Sequence, residues 1–270
     1  MAARLEAAEP GPKYRGLDRL PGQQISAVER RGKFLVLPLL RQGRHLEDLI
    51  IHLGMTGVIS AALPERPQHL RVSLDLSPGH APVILGEAQP DGDRLYFSDI
   101  RRFGRFLLTP AGDYRELPTL QAMGPEPLGP DFTPATLEAA LARSNMALKT
   151  YLLSQKPVAG LGNIYVDEAL WRAGLHPLEP ALNADVAKLP ALHQAIRDVL
   201  TESIAAQGTT LNDYRTVSGD GGSFQERLQV YGRSGQACRR CGSTIERLVI
   251  GGRSTHYCPR CQPLRSRRRR

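Results

Sequence analysis

The 270-residue sequence predicts an α+β protein of more than one domain, with a β-rich N-terminal lobe, a helical lobe and a small cysteine-containing module. Three observations predict this organisation. Apolar and polar residues alternate between Leu70 and Ser77, which is typical of a strand. Between Leu189 and Ile204, apolar residues recur every three or four positions, which is typical of a helix. All four cysteines fall within the last 33 residues.

Residues 23–112 are predicted to form β-structure. Leu70, Val72, Leu74 and Leu76 alternate with Arg71, Ser73, Asp75 and Ser77, so this strand is expected to have one apolar and one solvated face. Further strand candidates share short apolar runs: Ile25–Val28, Phe34–Leu39, Leu49–Leu53, Val83–Leu85 and Leu95–Phe97. Because Gly, Pro or Asp punctuates several of the gaps, the pattern favours an antiparallel sandwich or barrel.

Residues 113–215 are predicted to be helical. Thr133 supplies an N-cap and Pro134 a first-turn proline before a short apolar pattern. The longer helix that begins near Leu189 is expected to end near Gly208. Between them, residues 149–174 predict two more helices around a glycine-bearing turn. Residues 216–223 follow as a Gly/Ser-rich loop, and no internal repeat is present.

The cysteines form two C-x2-C pairs, Cys238/Cys241 and Cys258/Cys261, separated by sixteen residues. Two such knuckles can together present four thiolates in a tetrahedron around zinc. Two disulfides are disfavoured in a cytoplasmic protein, and a redox C-x2-C motif does not explain the second pair. Four thiolates leave no open position for a substrate, so the predicted Zn²⁺ is structural. Arg253 lies between the knuckles, where a β-hairpin tip is expected.

The net charge of +8 is concentrated at the C-terminal end. From Cys238 onward there are ten arginines and one acid, Glu246, a balance of +9, so residues 1–237 carry −1. A focused positive end favours a polyanion, and nucleic acid is the commonest soluble one. For residues 265–270 alone, a solvated basic tail is an equally good interpretation. The sequence contains no apolar run near the ~20 residues of a membrane span, and no signal-peptide core.

Two further motifs carry potential binding chemistry. Gly160-Leu-Gly-Asn163 precedes a predicted helix, so Asn163 is expected to cap it and its free N–H groups to hold a phosphate, although such a turn is usually only a turn. Residues 52–57 (HLGMTG) and 98–104 (SDIRRFG) place Met55, Arg101 and Phe103 on loop tips, where they can wedge into a base stack. The alternative is that Met55 and Phe103 pack in the sandwich core.

These motifs, with GLGNIYVDEALWRAGLHP, LQVYGR and the cysteine ribbon, occur in the order of the formamidopyrimidine-DNA glycosylase/endonuclease VIII family, which the chain resembles over residues 13–262. The resemblance implies a β-sandwich lobe, a helical lobe with a helix–two-turns–helix motif and a C-terminal zinc finger. It implies a bifunctional enzyme of base excision repair that removes oxidised purines such as 8-oxoguanine and formamidopyrimidines from damaged duplex DNA, and then nicks the abasic site.

The resemblance also implies roles for individual residues. Lys33 is similar to a lysine that assists β-elimination, and Arg253 to an arginine that grips phosphates and assists δ-elimination. Met55, Arg101 and Phe103 resemble the residues that fill the gap left by the flipped nucleotide and face the orphaned cytosine. The predicted phosphate contacts are His69, Lys149 and Asn163. Residues 216–224 resemble the loop that closes over 8-oxoguanine, which favours the formamidopyrimidine branch. Taken alone, Lys33 and Lys149 would be read as surface charges.

The resulting domain prediction is a sandwich lobe at 1–112, a helical lobe at 113–235, a zinc finger at 236–262 and a basic tail at 263–270. One structural Zn²⁺, damaged double-stranded DNA as partner, a monomeric state, no membrane and a cytoplasmic, nucleoid-associated location complete the expectations.

The N-terminal sequence departs from the family pattern. The family begins Met-Pro-Glu-Leu-Pro-Glu, and the proline amine attacks C1′ while the glutamate does acid/base work. This sequence begins Met1-Ala2-Ala3-Arg4. Either the start was assigned too late, which we favour because the elimination residues remain, or the chain is a damaged-DNA-binding relative without its nucleophile. An RNA-binding zinc-ribbon protein is a third reading, which the HLGMTG and RRFG loops disfavour.

Overall fold

A computed structural model describes residues 12–76, 94–210 and 221–264, together with the backbone of residues 2–5. The predicted strand Val83–Leu85, the tail 265–270 and most of the loop 216–224 lie outside these residues. The chain divides into two compact units, one formed by Met1–Glu116 with Leu211–Gly221 and the other by Leu117–Thr210 with Gly222–Arg270. Among the described residues, no helix has the length and apolar composition that a membrane crossing requires.

The first unit is a sandwich of two sheets. Its strands are β1 (Ala2–Leu5), β2 (Tyr14–Arg15), β3 (Gln24–Ile25), β4 (Glu29–Arg31), β5 (Phe34–Arg41), β6 (Arg44–His52), β7 (Gly57–Ser60), β8 (Leu70–Asp75), β9 (Arg94–Asp99) and β10 (Arg105–Pro110). One sheet has the order β1-β8-β9-β7, and the other β2-β10-β6-β5-β3 with β4 also on β5. The pairs are antiparallel, as expected, except that β2 runs parallel to β10.

The core of this unit lies between the two sheets, to which both contribute alternate apolar side chains. Phe97 of one sheet meets Phe106 of the other, with ring centroids 4.8 Å apart. The predicted solvated face of β8 is wrong, because Arg71 and Ser73 are buried. The strand lies between two neighbours, and Arg71 satisfies its guanidinium on the carbonyl oxygens of Gln68, Leu70 and Asp99. The candidate Ile25–Val28 is replaced by the separate short strands β3 and β4.

The second unit contains the helices and a hairpin. Its elements are α1 (Pro118–Gln121), α2 (Pro134–Leu141), α3 (Leu148–Leu153), α4 (Asn163–Ala173), α5 (Leu189–Ala205), β11 (Glu246–Ile250) and β12 (Arg253–Tyr257). Helix α2 begins as predicted, because the Thr133 side chain accepts from the N–H of Thr136 in a capping box. Helices α3 and α4 flank the predicted glycine-bearing turn, and both pack with α2 and α5 on one apolar cluster.

The C-terminal end of α5 differs in detail from the prediction. Ile204 was expected on the apolar face but is 67% exposed in the last turn. The helix ends at Ala205, and Gln207, with φ of 56°, takes the left-handed position. The N–H of Gly208 then donates to the carbonyl of Ser203 at 2.8 Å, which is the bond that closes a Schellman motif. Gly208 therefore contributes to the end of the helix one position after the left-handed residue.

Candidate nucleic-acid interface

Two neighbouring loops of the first unit carry the three predicted wedge residues. The Met55 loop (residues 53–56) follows β6, and the Arg101 loop (residues 100–104) connects β9 to β10. Met55 is 63% exposed and Phe103 45% exposed, so the alternative that they pack in the core is wrong. Arg101 Nη1 donates to Met55 Sδ at 3.5 Å, and its guanidinium carbon lies 4.9 Å from the Phe103 ring centroid. The structure therefore brings the three side chains together.

The two loops touch through their backbones, because glycines occupy the contact. Gly54 has a φ of +71°, and a Cβ there would lie 2.7 Å from the carbonyl carbon of Phe103. A Cβ on Gly104 would lie 2.4 Å from the Phe97 ring. A side chain at position 54 would push the loops apart, and one at position 104 would displace the core ring of Phe97. Beneath this contact lies the buried carboxylate of Asp99, which sequence reasoning did not single out.

Lys33 lies in the turn between β4 and β5 and is exposed, beside the strand that precedes the Met55 loop. Its charge acts on His52, whose pKa is lowered to about 4 mainly by burial and further by Lys33 and Arg105. The neutral His52 accepts the N–H of Gly54 at Nδ1, at 3.0 Å. The region is thus electropositive although its histidine is uncharged. His69, the remaining predicted contact in this unit, is half-buried at the end of the turn before β8.

In the second unit, the prediction that Asn163 caps α4 is wrong. Gly162 occupies the N-cap position, and Asn163 is the first helical residue, with no side-chain cap bond. Its Nδ2 instead donates to the carbonyl of Ser254 at 3.0 Å. Lys149 Nζ donates to the same carbonyl at 2.8 Å. Ser254 directly follows Arg253 in the sequence. The side chains of Lys149 and Asn163 therefore meet on the backbone beside Arg253, the arginine that is expected to grip phosphates.

Lys149 is completely buried, so its interpretation as a helix-surface charge is wrong. Its Nζ lies 2.7 Å from Oδ1 of Asp167, and both side chains are inaccessible to solvent. Burial lowers the pKa of Lys149, while the charge of Asp167 opposes this shift. Asp167 Oδ2 accepts the backbone N–H of His256 at 2.9 Å. The pair therefore fastens β12 to α3 and α4, and a direct phosphate contact would require Lys149 to leave its partner.

Arg253 stands at the tip of the hairpin that the sequence predicted. It pairs with Ile250 across the turn Gly251-Gly252, where φ values of 55° and 73° require glycine. The side chain of Arg253 is exposed. Lys149 and Asn163 hold the carbonyl of Ser254, directly after Arg253. Asp167 holds the N–H of His256 further along β12, so the guanidinium projects from a braced segment.

The four cysteines meet as expected of a zinc site. Their sulfurs lie within 4.8 Å of one another and form no disulfide, with Cys238–Cys261 and Cys241–Cys258 separations of 3.9 and 3.4 Å. A tetrahedron of zinc–sulfur bonds of about 2.3 Å places the sulfurs about 3.8 Å apart, so the set fits the ion. Hydrogen bonds from Ser243 lower the pKa of Cys241 to about 6, whereas burial and neighbouring thiols raise that of Cys261 to about 12.

Two buried side chains that sequence reasoning missed brace this unit. Glu168 Oε1 and Oε2 accept the backbone N–H groups of residues 229–231 at 2.9–3.0 Å. Gln155 spans the turn between α3 and α4, donating to the carbonyl of Leu161 and accepting the N–H of Gly160. Their spacing gives no periodic signal, because their partners are backbone groups from distant or irregular segments.

Comparison with known proteins gives consistent matches along the chain. Family models match the formamidopyrimidine-DNA glycosylase N-terminal domain at residues 6–106, the formamidopyrimidine-DNA glycosylase H2TH domain at 123–215, and the zinc finger found in FPG and IleRS at 235–264. The formamidopyrimidine-DNA glycosylase of Deinococcus radiodurans is 46% identical over 265 residues, covering 95% of this chain and 88% of the relative. That of Enterococcus faecalis is 41% identical over 252 residues, covering 93% and 84%.

Solved structures agree with these matches. The MutM (Fpg) protein from Thermus thermophilus is similar with a TM-score of 0.82 and 41% identity, over 96% of this chain and 91% of that one. A complex of the Lactococcus lactis Fpg with DNA containing an abasic site is similar with a TM-score of 0.78 and 30% identity, over 97% and 91%.

Proposed function

The chain belongs to the formamidopyrimidine-DNA glycosylase family, and on this premise we propose how its own residues act on damaged DNA. It is a DNA glycosylase of base excision repair for oxidised purines in double-stranded DNA, and its family implies an abasic-site lyase activity. It carries one structural Zn²⁺ and is taken to act as a monomer. The observation that carries the proposal is the joined, exposed cluster of Met55, Arg101 and Phe103.

The three clustered side chains are proposed to occupy the space that a flipped nucleotide vacates. An enzyme that acts on a base must extrude it from the stack, and inserted side chains offset the lost stacking. Met55 and Phe103 offer polarizable and aromatic surface for this purpose. Arg101 offers a planar fork of donors that can read the orphaned cytosine. Its stacking on Phe103 limits the orientations of that fork before DNA arrives.

Arg253, Asn163, Lys149 and His69 are proposed to serve the phosphate backbone. Arg253 is exposed and contacts phosphate directly, because a guanidinium can bind phosphate in a bidentate manner. Lys149 acts through the hairpin, since its buried amine holds the carbonyl of Ser254 beside Arg253. Asn163 reinforces the same carbonyl. These contacts supply affinity that depends on salt and is blind to base sequence.

Lys33 and Arg253 are proposed to assist strand cleavage. After the base has been removed, β-elimination breaks the bond to the 3′-phosphate, and δ-elimination breaks the bond on the other side. Both steps release a phosphate, and a nearby cation stabilises the departing negative charge. Lys33 fits the first role, because it is exposed beside the electropositive region of the Met55 loop. Zn²⁺ supplies no chemistry here and holds the knuckles at the base of the Arg253 hairpin.

A DNA repair enzyme of a bacterial family works in the cytoplasm, and we propose association with the nucleoid there.

The roles of Arg253 and Arg101 are separated by equilibrium binding to a duplex with a tetrahydrofuran abasic-site analogue. Arg253→Ala is expected to weaken binding on every sequence and to reduce the salt slope by about 1. Arg247→Ala is the matched control, because Arg247 is an exposed arginine on β11 of the same hairpin. An equal change in slope for both variants would remove Arg253 from the phosphate contacts. Tighter binding of structured RNA than of this duplex would favour the RNA-binding alternative.

The chemistry is tested by borohydride trapping on 8-oxoguanine and preformed abasic duplexes. The 270-residue polypeptide is compared with a version to which an N-terminal Pro-Glu start is added, since the family attacks C1′ with a proline amine. We expect trapping of the extended polypeptide on both duplexes. A Lys33→Ala variant should slow strand cleavage more than base release. Absence of trapping on either duplex would refute the assigned chemistry.

A further inference from the structure

We propose that Asp99 is a positioning residue for discrimination of the orphaned base, an inference that rests on the proposed function of the Met55/Arg101/Phe103 cluster. Asp99 is the last residue of β9, and its side chain is completely buried. It lies one residue before the Arg101 loop and reaches across to the Met55 loop. It therefore belongs to the sheet but acts on both loops.

The Asp99 carboxylate binds three donors from these two loops. Oδ1 accepts the hydroxyl of Thr56 at 2.6 Å and the backbone N–H of Arg101 at 3.2 Å. Oδ2 accepts the backbone N–H of Gly104 at 2.6 Å. Thr56 closes the network, because its hydroxyl oxygen also lies 3.1 Å from the N–H of Arg101. One side chain thus joins both ends of the Arg101 loop to the Met55 loop.

The local backbone requires such an anchor. Arg102 takes a positive φ of 56°, which is unfavourable for a residue with a Cβ. The hydrogen bonds at Arg101 and Gly104 lie on either side of it and hold the turn from both directions. The carbonyl of Arg102 is held in addition by Lys13 Nζ at 2.7 Å. Gly104 can approach the carboxylate this closely because it lacks a Cβ, which would lie 3.0 Å from Oδ2.

The charge of Asp99 is what makes these bonds strong. Hydrogen bonds to an ionised acceptor contribute roughly twice as much as neutral ones. Arg71 on β8 donates through its Nε to the backbone carbonyl of Asp99 at 3.0 Å, so a buried positive charge lies near this residue. Burial and the charge of Asp99 raise the pKa of Tyr14, whereas Arg71 opposes that shift. The buried Arg71, wrongly expected on a solvated face, therefore belongs to the same charged group.

Loss of the Asp99 hydrogen bonds is expected to affect discrimination of the orphaned base rather than overall DNA affinity. The bonds to Asp99 orient the backbone of Arg101 and Phe103 but contact no group proposed to hold phosphate. Loosening them allows Arg101 to sample orientations that do not face the orphaned base. Affinity from phosphate contacts, which lie on other segments, is not affected in its salt dependence.

The test is Asp99→Asn, which replaces one of the two carboxylate acceptors by a donor and faces it toward an N–H or a hydroxyl. Binding is measured on duplexes with a tetrahydrofuran abasic-site analogue opposite cytosine or adenine. The ratio of the two dissociation constants is the readout, with fluorescence of 2-aminopurine at the orphan position reporting the wedge. The preference for cytosine is expected to fall about tenfold, which corresponds to the loss of one charge-assisted bond, while the salt slope stays unchanged.

Asp48→Asn is the matched control. Asp48 is a buried carboxylate of the same unit that accepts from Gly112 N–H and Tyr114 Oη at 2.9 Å and contacts His45 Nε2 at 2.7 Å. It lies on β6 four residues before the end from which the Met55 loop departs. Its variant is expected to lose comparable thermal stability but to keep the cytosine preference. Thr56→Val provides a second variant, in which only the hydroxyl link is removed and a smaller loss of preference is expected.

Three outcomes overturn the inference or its premise in distinguishable ways. If the unchanged protein shows no cytosine preference, the proposed function of the cluster is wrong. If it shows the preference and both Asp99→Asn and Thr56→Val retain it, Asp99 is not a positioning residue. If Asp48→Asn loses the preference to the same extent as Asp99→Asn, the effect is general loosening of the sandwich. Should Asp99→Asn fail to fold, Thr56→Val against Asp48→Asn decides the question.

Discussion

Replacement of Asp167 by Asn should destabilise the second unit and weaken its DNA grip together. In the intact protein the carboxylate lies 2.7 Å from Lys149 Nζ, with both side chains fully buried. The variant keeps an acceptor for the N–H of His256 but removes the negative charge. Lys149 is then left with the carbonyl of Ser254 as its described hydrogen-bond acceptor. A buried ammonium without an opposite charge is strongly unfavourable.

The magnitude follows from the burial of the pair. Removing one partner of a buried ion pair costs about 3–5 kcal/mol, and we take about 3 kcal/mol because the Ser254 carbonyl remains. This corresponds to a fall in Tm of roughly 6–12 °C for a unit of this size. In Lys149→Met the carboxylate is the orphan, so a similar loss is expected. The double variant Lys149→Met/Asp167→Asn should lose about 2 kcal/mol less than the sum of the two.

The pH dependence provides an independent check with a definite sign. Burial lowers the pKa of Lys149 below its ordinary value of 10.5, and Asp167 raises it. A lysine whose folded-state pKa lies below its unfolded value destabilises the fold while protonated, and this penalty is relieved as the pH rises through the folded-state pKa. Asp167→Asn lowers that pKa further, so its stability deficit relative to the unchanged protein should narrow as the pH rises from neutral to alkaline values.

The assay is thermal unfolding at neutral and at alkaline pH, together with salt-dependent binding to DNA that contains an abasic-site analogue. The Arg253 contact should weaken in parallel, because the pair fixes the hairpin that carries it. An unchanged Tm in Asp167→Asn would refute the reasoning, as would a double variant that loses the full sum. A deficit that widens with pH would show that Lys149 does not carry the charge.

Three further results are expected. Chelation of zinc, or Cys258→Ser, should release about one zinc per chain and lower DNA affinity. It should also shift the fluorescence emission of Trp171, the only tryptophan in the sequence, because this side chain packs against the cysteines. Purified protein that contains no zinc would contradict the metal site. Arg101→Ala should erode the preference for cytosine opposite the lesion with a nearly unchanged salt slope, and equal loss on every duplex with a smaller slope would assign Arg101 to the backbone. The pKa of His52 is lowered to about 4, so its neutral form contributes fully to stability above about pH 6.5. This contribution, at most about 3 kcal/mol, is lost as the pH falls toward 4. If a His52→Gln variant unfolds in acid at the same pH as the unchanged protein, His52 does not cause the acid transition.

The elements were predictable where the chain repeats at a fixed period or carries an unambiguous cap. The strands β5 and β9 and the helices α2 and α5 lie close to their predicted positions, whereas β6 begins at Arg44, five residues before the predicted Leu49. The failures have a common cause. Arg71 reads as solvated and Ile204 as buried from the pattern alone, but Arg71 is buried with its guanidinium bonded to backbone carbonyls, and the last turn of α5 leaves Ile204 exposed. In both cases the position of the residue in the folded unit, rather than the polarity of its side chain, determines whether it is buried.

The sequence by itself determined the order of the lobes, the four zinc ligands and the residues at the tips of two loops and a hairpin. These depend on residue type and spacing, as in the two C-x2-C knuckles or the Gly251-Gly252 turn beside Arg253. Only the tertiary structure decided that Lys149 is buried against Asp167 and that Asp99 joins the loops of Met55 and Arg101. Both are contacts between a buried charge and groups far away in the chain, and their energy depends on the exclusion of water, which no local pattern records.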